Sequence, residues 1–338
     1  MNWPQHTKRV RSGRATLELN TAGAAAYPAP PVDEALGVRP LQRVGNTPLL
    51  RFENLARGMR HVQVLGKAEW VNPGGSVKDR AALNIIENGL RSGALSAGKR
   101  LLDATSGNTG IAYAMIGAAH GVPVTFCVPA NVSAERKRIL AAYGAEIIWT
   151  DPQEGTDGAI RLARKMHQAE PDKYFYADQY SNDANWLAHY HGTAQEIWSQ
   201  TRGAITHFIA GLGTSGTFVG TTRRLKELNP EIRAISVQPD SCFHGLEGLK
   251  HMPTAMVPRI YDPSLADAMF EVSTEAAHAM VKRIARTSGV LLGISGGAAL
   301  VAAEKVAQEA AASDRPAVIV AVLPDSGDRY LSEKFWSE

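Results

Sequence analysis

The chain has 338 residues, of which 44% are hydrophobic and 20% are charged, and this composition predicts a folded protein with a sizeable core. Lys and Arg total 36 against 33 Asp and Glu, and this near balance argues against a protein whose main ligand is nucleic acid. The two cysteines, Cys127 and Cys242, exclude a disulfide scaffold and a zinc site built from several thiolates.

Residues 1–37 differ in composition from the rest of the chain. Basic residues between Lys8 and Arg14 precede the stretch "AGAAAYPAPP", which has no sustained periodicity. We expect an arm that crosses the surface. No apolar run approaches the ~18 residues of a membrane helix, and no apolar segment follows the basic residues as it would in a secretory signal. These features predict a soluble, cytoplasmic protein that binds no membrane.

From Leu41 onward, short apolar runs alternate with longer helical ones. In chain order, the sequence predicts strand–helix pairs in "VQVLGKAEW" and "SVKDRAALNIIENGL", "RLLDAT" and "TGIAYAMIGAAHG", "PVTFCVP" and "SAERKRILAAYG", and "AEIIWT" and "DGAIRLARKMHQ". Next come "THFIAGLG" and "TFVGTTRRLKEL", the strand "RAISVQP", "GVLLGIS" and "GGAALVAAEKVAQEAA", and the strand "AVIVAVLP". This alternation predicts an α/β fold with open, mainly parallel sheets covered on both faces. Ligands of such folds bind at the carboxyl ends of the strands.

Glycine-rich turns stand at three of these predicted strand ends: "TSGNTG" at 105–110, "GLGTSGT" at 211–217 and "GISGGA" at 293–298. Glycines permit a tight turn, and the N–H groups of a helix start, together with hydroxyls, favour an anion. A single turn of this kind is often only a packing feature. Because three occur in one chain, and two are rich in Thr and Ser, the pattern favours anion binding.

The second turn also fits the dinucleotide pattern G-x-G-x-x-G through Gly211, Gly213 and Gly216. That pattern requires an acidic residue at the end of the next strand. Here Gln238 stands at that end and Asp240 lies just beyond it, so the fit is poor. A nucleotide-hydrolysing P-loop is not supported, since the chain contains no G-x-x-x-x-G-K-[ST].

Lys78 lies in "NPGGSVKDR", with Ser76 placed to cap a helix that starts at Val77. A partly desolvated amine in the first helical turn should have a lowered pKa, and imine chemistry requires a neutral amine. For an isolated lysine the better interpretation is an ordinary surface residue. Lys67 shows how common lysines near strand ends are.

The motifs "VGNTPLLRF" at 44–52, "NPGGSVKDR" at 72–80 and "LPDSGDRYLS" at 323–332, together with the three turns, change that assessment. With them the sequence resembles the cysteine synthase / cystathionine β-synthase family of pyridoxal-phosphate (PLP) enzymes. It is most similar to the B-type cysteine synthases and O-phosphoserine sulfhydrylases. The resemblance runs from about residue 40 to the end, and it implies the tryptophan synthase β-like fold (fold type II) with two domains. The large PLP-binding domain would comprise 38–81 and 188–338, and the smaller, mobile substrate domain 82–187.

The resemblance also implies a role for each matching residue. Lys78 would be the Schiff-base lysine and the base that moves the substrate's proton, Asn108 would bond the cofactor's ring oxygen, and Ser295 would face the pyridine nitrogen. The phosphate would be held by Gly213, Thr214, Ser215, Gly216 and Thr217, and the substrate carboxylate by Thr105, Ser106, Thr109 and Gln179. Lys250 stands where many relatives carry an arginine beside the substrate's β-substituent; its alternative is a solvent-facing side chain on a mobile loop.

The reaction that the resemblance implies is a β-replacement. An O-activated L-serine, O-acetylserine or O-phosphoserine, would lose its β-substituent to give an aminoacrylate intermediate, and sulfide would then add to form cysteine. The alternatives are a cystathionine β-synthase, a serine dehydratase-like enzyme, a non-catalytic relative that keeps the fold and acts as a binding partner and, outside the family, a dinucleotide-binding oxidoreductase. Since the chain ends at Glu338 and the N-terminal arm has no cysteine for a haem, we expect the synthase of cysteine. The resemblance further implies a homodimer.

The sequence does not predict a metal site. His189 and His191 in "HYH" are the obvious candidates, but they have no further donors nearby in the chain. We expect them to be core or solvated histidines.

Overall fold

The structure is a computed structural model that describes residues 37–105 and 107–337. The predicted N-terminal arm, apart from Gly37, lies outside the described residues, as do Ser106 and Glu338. The strands are β1 (Leu49–Arg51), β2 (Val62–Ala68), β3 (Arg100–Ala104), β4 (Val124–Pro129), β5 (Glu146–Thr150), β6 (Tyr174–Tyr176), β7 (His207–Gly211), β8 (Arg233–Pro239), β9 (Ala268–Val272) and β10 (Ala317–Leu323).

The α-helices are α1 (Lys78–Ser92), α2 (Asn108–His120), α3 (Ala134–Ala142), α4 (Gly155–Ala169), α5 (Asp183–Ala188), α6 (Ala194–Gln200), α7 (Gly216–Leu228), α8 (Thr274–Ser288) and α9 (Ile294–Ala312). A π-helical turn, His189–Thr193, joins α5 to α6. Short 3-10 helices are Pro40–Arg43, Glu53–Leu55, Glu69–Val71, Pro152–Glu154, Pro263–Leu265, Gly327–Tyr330 and Lys334–Trp336. Within the described ranges, no helix is both long and apolar enough to cross a bilayer.

The strands form two sheets. The six-stranded sheet has the order β1-β2-β10-β7-β8-β9, and its pairs are parallel except for β1 with β2. The four-stranded sheet has the order β5-β4-β3-β6 and is entirely parallel. The prediction of open, mainly parallel sheets is therefore confirmed, whereas the boundaries of the two predicted domains stay a prediction.

Each sheet is covered by helices on both faces. Because side chains alternate along a strand, each strand contributes to the cores on both sides of its sheet. In β7, Ile209 belongs to the core cluster under α8 and α9, while Phe208 and Ala210 belong to the cluster under α6 and α7. In the four-stranded sheet, Leu101 belongs to the cluster beneath α1 and α2, and Leu102 to the cluster beneath α4. This double coverage is why the strands are nearly continuous apolar runs.

One predicted strand is wrong. The segment 289–295, "GVLLGIS", pairs only through an isolated bridge between Leu292 and Ser326, and α9 already begins at Ile294. The reason is spatial: after α8 the chain turns at Gly289 in the left-handed conformation, and the following residues form a bridge to Ser326 outside both sheets. The edge position beside β8 is taken by β9, which the sequence analysis did not identify.

Candidate active site

The predicted site residues converge on two adjoining cavities at the carboxyl ends of the strands. The larger cavity has a volume of about 250 Å³ and the narrower one about 40 Å³; Lys78, Asn108, Gly213 and Thr214 line both. The larger cavity is also lined by Thr105, Thr109, Gln179 and Lys250, and the narrower one by Ser215, Thr217 and Ser295. Residues far apart in the sequence therefore share one site.

Lys78 is the first residue of α1 and lines both cavities. The helix begins one residue later than predicted, so Val77 rather than Ser76 is the N-cap, and the Ser76 hydroxyl accepts from the Lys78 N–H at 3.3 Å. Burial lowers the pKa of Lys78, while the charges of Asp325 and Glu69 oppose that change. A lowered pKa increases the fraction of neutral, nucleophilic amine, as the sequence analysis predicted.

The start of α7 has the properties of a phosphate site. Ser215 precedes the helix with a φ of 68°, and its side chain is buried. Its hydroxyl oxygen has no hydrogen-bond partner within residues 37–105 and 107–337. At Gly213, an added Cβ would lie 2.3 Å from the carbonyl oxygen of Gly248, so only glycine fits there. A buried, unpartnered hydroxyl at a helix N-terminus fits the phosphate of PLP.

Side chains of the segment 185–189 contact the rest of this turn. Asn185 donates to the Thr214 hydroxyl at 3.1 Å, and an added Cβ on Gly216 would lie 2.0 Å from the side-chain oxygen of Asn185. Gly216 lines neither cavity, so its contribution is backbone and close packing. The hydroxyl of Thr217 lies 3.3 Å from Nε2 of His189.

Hydroxyls and amides also meet at the start of α2. Thr105 accepts from the Gly110 N–H at 3.0 Å, and Thr109 donates to the side-chain oxygen of Gln179 at 2.9 Å. Gln179 in turn donates to the Ala104 carbonyl at 3.1 Å. The predicted partner Ser106 lies outside the described residues. This second helix N-terminus can hold a carboxylate.

Asn108 belongs to a network that the sequence analysis missed. Its amide nitrogen donates to Asp325 at 2.6 Å, and its oxygen accepts from Arg329. Tyr330 donates to the same oxygen of Asp325 at 2.6 Å. The motif "LPDSGDRYLS" contains all three partners, so a signal existed, but no role could be assigned to them from the sequence.

Lys250 lies inside the site rather than in solvent. Its side chain is 14% exposed, with Nζ 3.8 Å from Asp157 and 5.0 Å from the centre of the Tyr180 ring. Burial lowers the pKa of Lys250, and the charge of Asp157 opposes that change. The alternative of a solvent-facing side chain is therefore wrong.

An ion pair between Arg136 of α3 and Glu247 was also missed by the sequence analysis. Glu247 lines both cavities and a third one of about 430 Å³ beside them, where Arg136 is also found. Burial raises the pKa of Glu247, against the charge of Arg136. No motif marked either residue, because the two meet only through the fold.

The two histidines have separate environments. His189 is buried, with Nδ1 2.9 Å from the Thr193 hydroxyl, whereas His191 is exposed. Burial, ahead of nearby positive charges, holds the pKa of His189 well below its usual range. Within the described part of the chain, no group of three or more His, Cys, Asp or Glu is arranged to hold a metal ion.

A dinucleotide site would require an acidic residue at the end of β8, and Gln238 stands at that position. Gln238 is buried, donates to Glu271 at 3.2 Å and accepts from the Met252 N–H at 3.2 Å. The side chain is thus used to join β8 to β9 and the following loop, and Asp240 beyond it is exposed.

Beneath α1, a buried ion network anchors the helix that carries Lys78. Arg80 donates to both carboxylates of Glu69 and Glu196 at 2.7–2.9 Å, and to Thr47 at 3.1 Å. Lys67 adds a second cation, with Nζ 2.6 Å from Glu196. Burial opposes ionisation of Glu196, but the hydrogen bonds and charges of Arg80 and Lys67 lower its pKa to about 2.

Asp79, next to Lys78, should make stability depend on pH. Burial raises the pKa of Asp79 to about 7, although the Gly74 N–H donates to one oxygen at 2.5 Å. Because the folded state retains a proton that the unfolded chain has lost, this group lowers the free energy of unfolding as pH rises from about 4 to about 7. In Asp79→Asn this contribution to the pH dependence should disappear. The free energy of unfolding of the variant, relative to that of the wild type, should therefore rise by a few kcal/mol over that range.

Urea unfolding of both proteins across this pH range measures the difference. Asp172→Asn, at an exposed position, is the control and should parallel the wild type. Parallel profiles for Asp79→Asn and the wild type would contradict the raised pKa of Asp79.

Known proteins that are similar to this chain identify its family. The family described as "Pyridoxal-phosphate dependent enzyme" matches residues 41–325. A cysteine synthase from Aquifex aeolicus (strain VF5) is 50% identical over 300 residues, which cover 88% of this chain and 92% of the relative. A cysteine synthase B from Pseudomonas aeruginosa is 42% identical over 289 residues, covering 86% of this chain and 94% of the relative.

The crystal structure of a cysteine synthase (OASS) from Entamoeba histolytica has a TM-score of 0.85 and 33% sequence identity, and the match covers 90% of this chain and 92% of that one. These matches confirm the predicted fold type II and the predicted cofactor. This chain therefore belongs to the pyridoxal-phosphate dependent enzymes, and within them to the cysteine synthase family.

Proposed function

We propose that this enzyme makes L-cysteine by replacing the β-substituent of an O-activated L-serine with sulfide. One observation carries the proposal: three groups meet at adjoining cavities. They are the amine of Lys78, the hydroxyl-rich N-terminus of α7 and the N-terminus of α2, which can hold a carboxylate. Family membership removes the dinucleotide-binding oxidoreductase from the alternatives, since the matching family depends on PLP.

The residues of the narrower cavity would hold PLP. The turn 213–217 would bind its phosphate, Asn108 its ring oxygen and Ser295 its pyridine nitrogen, with Lys78 attached through its amine. Electron withdrawal from the substrate's α carbon is the chemistry that the bound cofactor supplies. A neutral serine opposite the pyridine nitrogen would not force its protonation, which limits that withdrawal and suits β-elimination.

The residues of the larger cavity would hold the amino acid. Thr105, Ser106, Thr109 and Gln179 would bind its carboxylate, at the N-terminus of α2, where the helix dipole favours an anion. Lys78 would take the α proton at Nζ, and the lowered pKa of that amine increases the fraction in the neutral, basic form. Lys250 would lie on the side of the leaving group.

Lys250 should help to expel an anionic leaving group, most of all a phosphate dianion. Lys250→Ala should lower kcat/KM for O-phosphoserine by about 10- to 100-fold, as expected for the loss of a charged hydrogen bond, and by much less for O-acetylserine. Lys250→Arg, which adds a forked donor, should favour O-phosphoserine. Steady-state kinetics with both donors measures the ratio.

Equal losses for the two donors in Lys250→Ala would show that Lys250 does not recognise the leaving group. The enzyme would then be assigned as an acetylserine sulfhydrylase. Because both donors share the amino-acid part, a folding defect would lower both values together and would not mimic selectivity.

The test of the proposed function is a direct assay of the purified protein. We expect a visible absorption band from bound PLP, and cysteine formed from O-acetylserine or O-phosphoserine only when sulfide is added. Formation of pyruvate and ammonia from serine, without cysteine, would instead identify the serine dehydratase-like alternative.

A second candidate, synthesis of cystathionine, is favoured by the neighbouring cavity of about 430 Å³. Sulfide needs little space, whereas this cavity is lined by both cations and anions that complement the carboxylate and ammonium groups of an amino-acid thiol; they include Arg136, Arg329, Glu247 and Glu333. Comparing sulfide with homocysteine as the second substrate decides between the candidates.

The proposal also includes a homodimer in the cytoplasm and a smaller substrate domain that comprises residues 82–187.

A further inference from the structure

The amide of Asn108 is held at both ends. Its nitrogen donates to Oδ2 of Asp325 at 2.6 Å, and its oxygen accepts from Nη1 of Arg329. Arginine can only donate, so Arg329 determines which end of the amide is the oxygen. The nitrogen therefore carries two hydrogens, one of which is taken by Asp325.

Asp325 is itself fixed in place. It is 1% exposed, Tyr330 donates to its Oδ2 at 2.6 Å, and the Gly293 N–H donates to its carbonyl at 3.1 Å. An added Cβ on Gly293 would lie 1.8 Å from Oδ1 of Asp325, so glycine is required beside this carboxylate. Oδ1 has no hydrogen-bond partner among the described residues.

The same segment reaches the loop of the catalytic lysine. Arg329 donates through Nη2 to the Gly74 carbonyl at 2.5 Å, and a backbone bridge joins Asp325 to Ser76. Asp325 and Lys78 both line the narrower cavity. Residues 325–330 thus connect the loop before Lys78 with the first residue of α2.

We propose that Asp325 is a positioning residue that holds the amide of Asn108 so that its second hydrogen is free to bond the cofactor's ring oxygen. The carboxylate also places a negative charge near Lys78 that favours the protonated amine. This inference rests on the proposed role of Asn108. A purely structural role, in which Asp325 only anchors Tyr330, is the competing interpretation.

The test compares Asp325→Asn, which replaces the carboxylate that accepts from Asn108, with Tyr330→Phe, which removes the other donor to that carboxylate and leaves its bond to Asn108. The readouts are the dissociation constant of PLP from the apoprotein, the absorption spectrum of the bound cofactor across pH, and the melting temperature of the apoprotein. For Asp325→Asn we expect about 10- to 100-fold weaker PLP binding and a shifted pH midpoint of the spectrum. Tyr330→Phe keeps the carboxylate and its bond to Asn108, so it should change binding less than about threefold and shift the spectrum less than Asp325→Asn does.

A double-mutant cycle with Asn108→Ala shows whether Asp325 acts through that amide. We expect Asp325→Asn to weaken PLP binding little further in the Asn108→Ala background. Additive effects, or a wild-type spectrum and affinity in Asp325→Asn, would overturn the inference. If Asp325→Asn does not fold, Arg329→Gln removes the other anchor of the amide and should shift the spectrum in the same cycle.

None of these readouts depends on turnover. If Asn108→Ala alone leaves PLP affinity and spectrum unchanged, the role assigned to Asn108 fails, and with it the inference about Asp325. The proposed synthesis of cysteine would stand or fall separately, in the assay with sulfide.

Discussion

Lys78→Ala should abolish the synthesis of cysteine, with activity reduced at least about 1,000-fold, because the variant lacks the amine that we propose attaches the cofactor and moves the substrate's proton. Of the lysines that line the two cavities, Lys250 carries the other amine, and it lies near Asp157 and Tyr180. Borohydride reduction followed by peptide mapping locates the lysine that carries PLP. We expect the label on Lys78.

Lys78→Arg is the matched variant, since it retains the positive charge but not a primary amine. It should be as inactive as the alanine variant while binding PLP without a covalent label. A label on another lysine in the wild-type protein, or substantial activity in Lys78→Arg, would contradict the assignment.

Arg80→Met should cost about 3–5 kcal/mol of stability, because it leaves a buried carboxylate without its cation. Glu69 is fully buried and receives two hydrogen bonds from Arg80, at 2.7 and 2.9 Å. Lys67 remains, but its Nζ pairs with Glu196 instead. The free energy of unfolding from urea titration measures the loss.

Two further variants separate charge from packing. In Arg80→Met/Glu69→Leu the unpaired carboxylate is gone while Lys67 and Glu196 remain paired, so part of the loss should be recovered. Arg161→Met removes an ion pair whose side chains are 56% and 54% exposed, and it should cost less than about 1 kcal/mol. If Arg80→Met costs no more than Arg161→Met, the network does not stabilise the fold.

Local sequence determined the alternation of strands and helices and the turns at their junctions. Apolar runs covered on both faces identify parallel strands, and glycine with hydroxyls at a strand end identifies an anion-binding helix start, because both properties depend on neighbours in the chain. For that reason the amino-acid sequence alone is enough to identify the turns at 105–110 and 211–217 and the lysine in 72–80. The prediction of a strand at 289–295 is wrong because an apolar run carries no information about which sheet position is vacant.

Only the tertiary structure determined the partners of these residues. Asn108 meets Asp325 across 217 positions of the chain, and it meets Arg329 across 221. The same holds for Arg136 with Glu247 and for Lys250 beside Asp157, whose burial no motif could indicate. Burial arises from residues that folding brings together, and it lowers the pKa of Lys78 and raises that of Asp79. The candidate site residues could therefore be named from the sequence, while the groups that contact them required the fold.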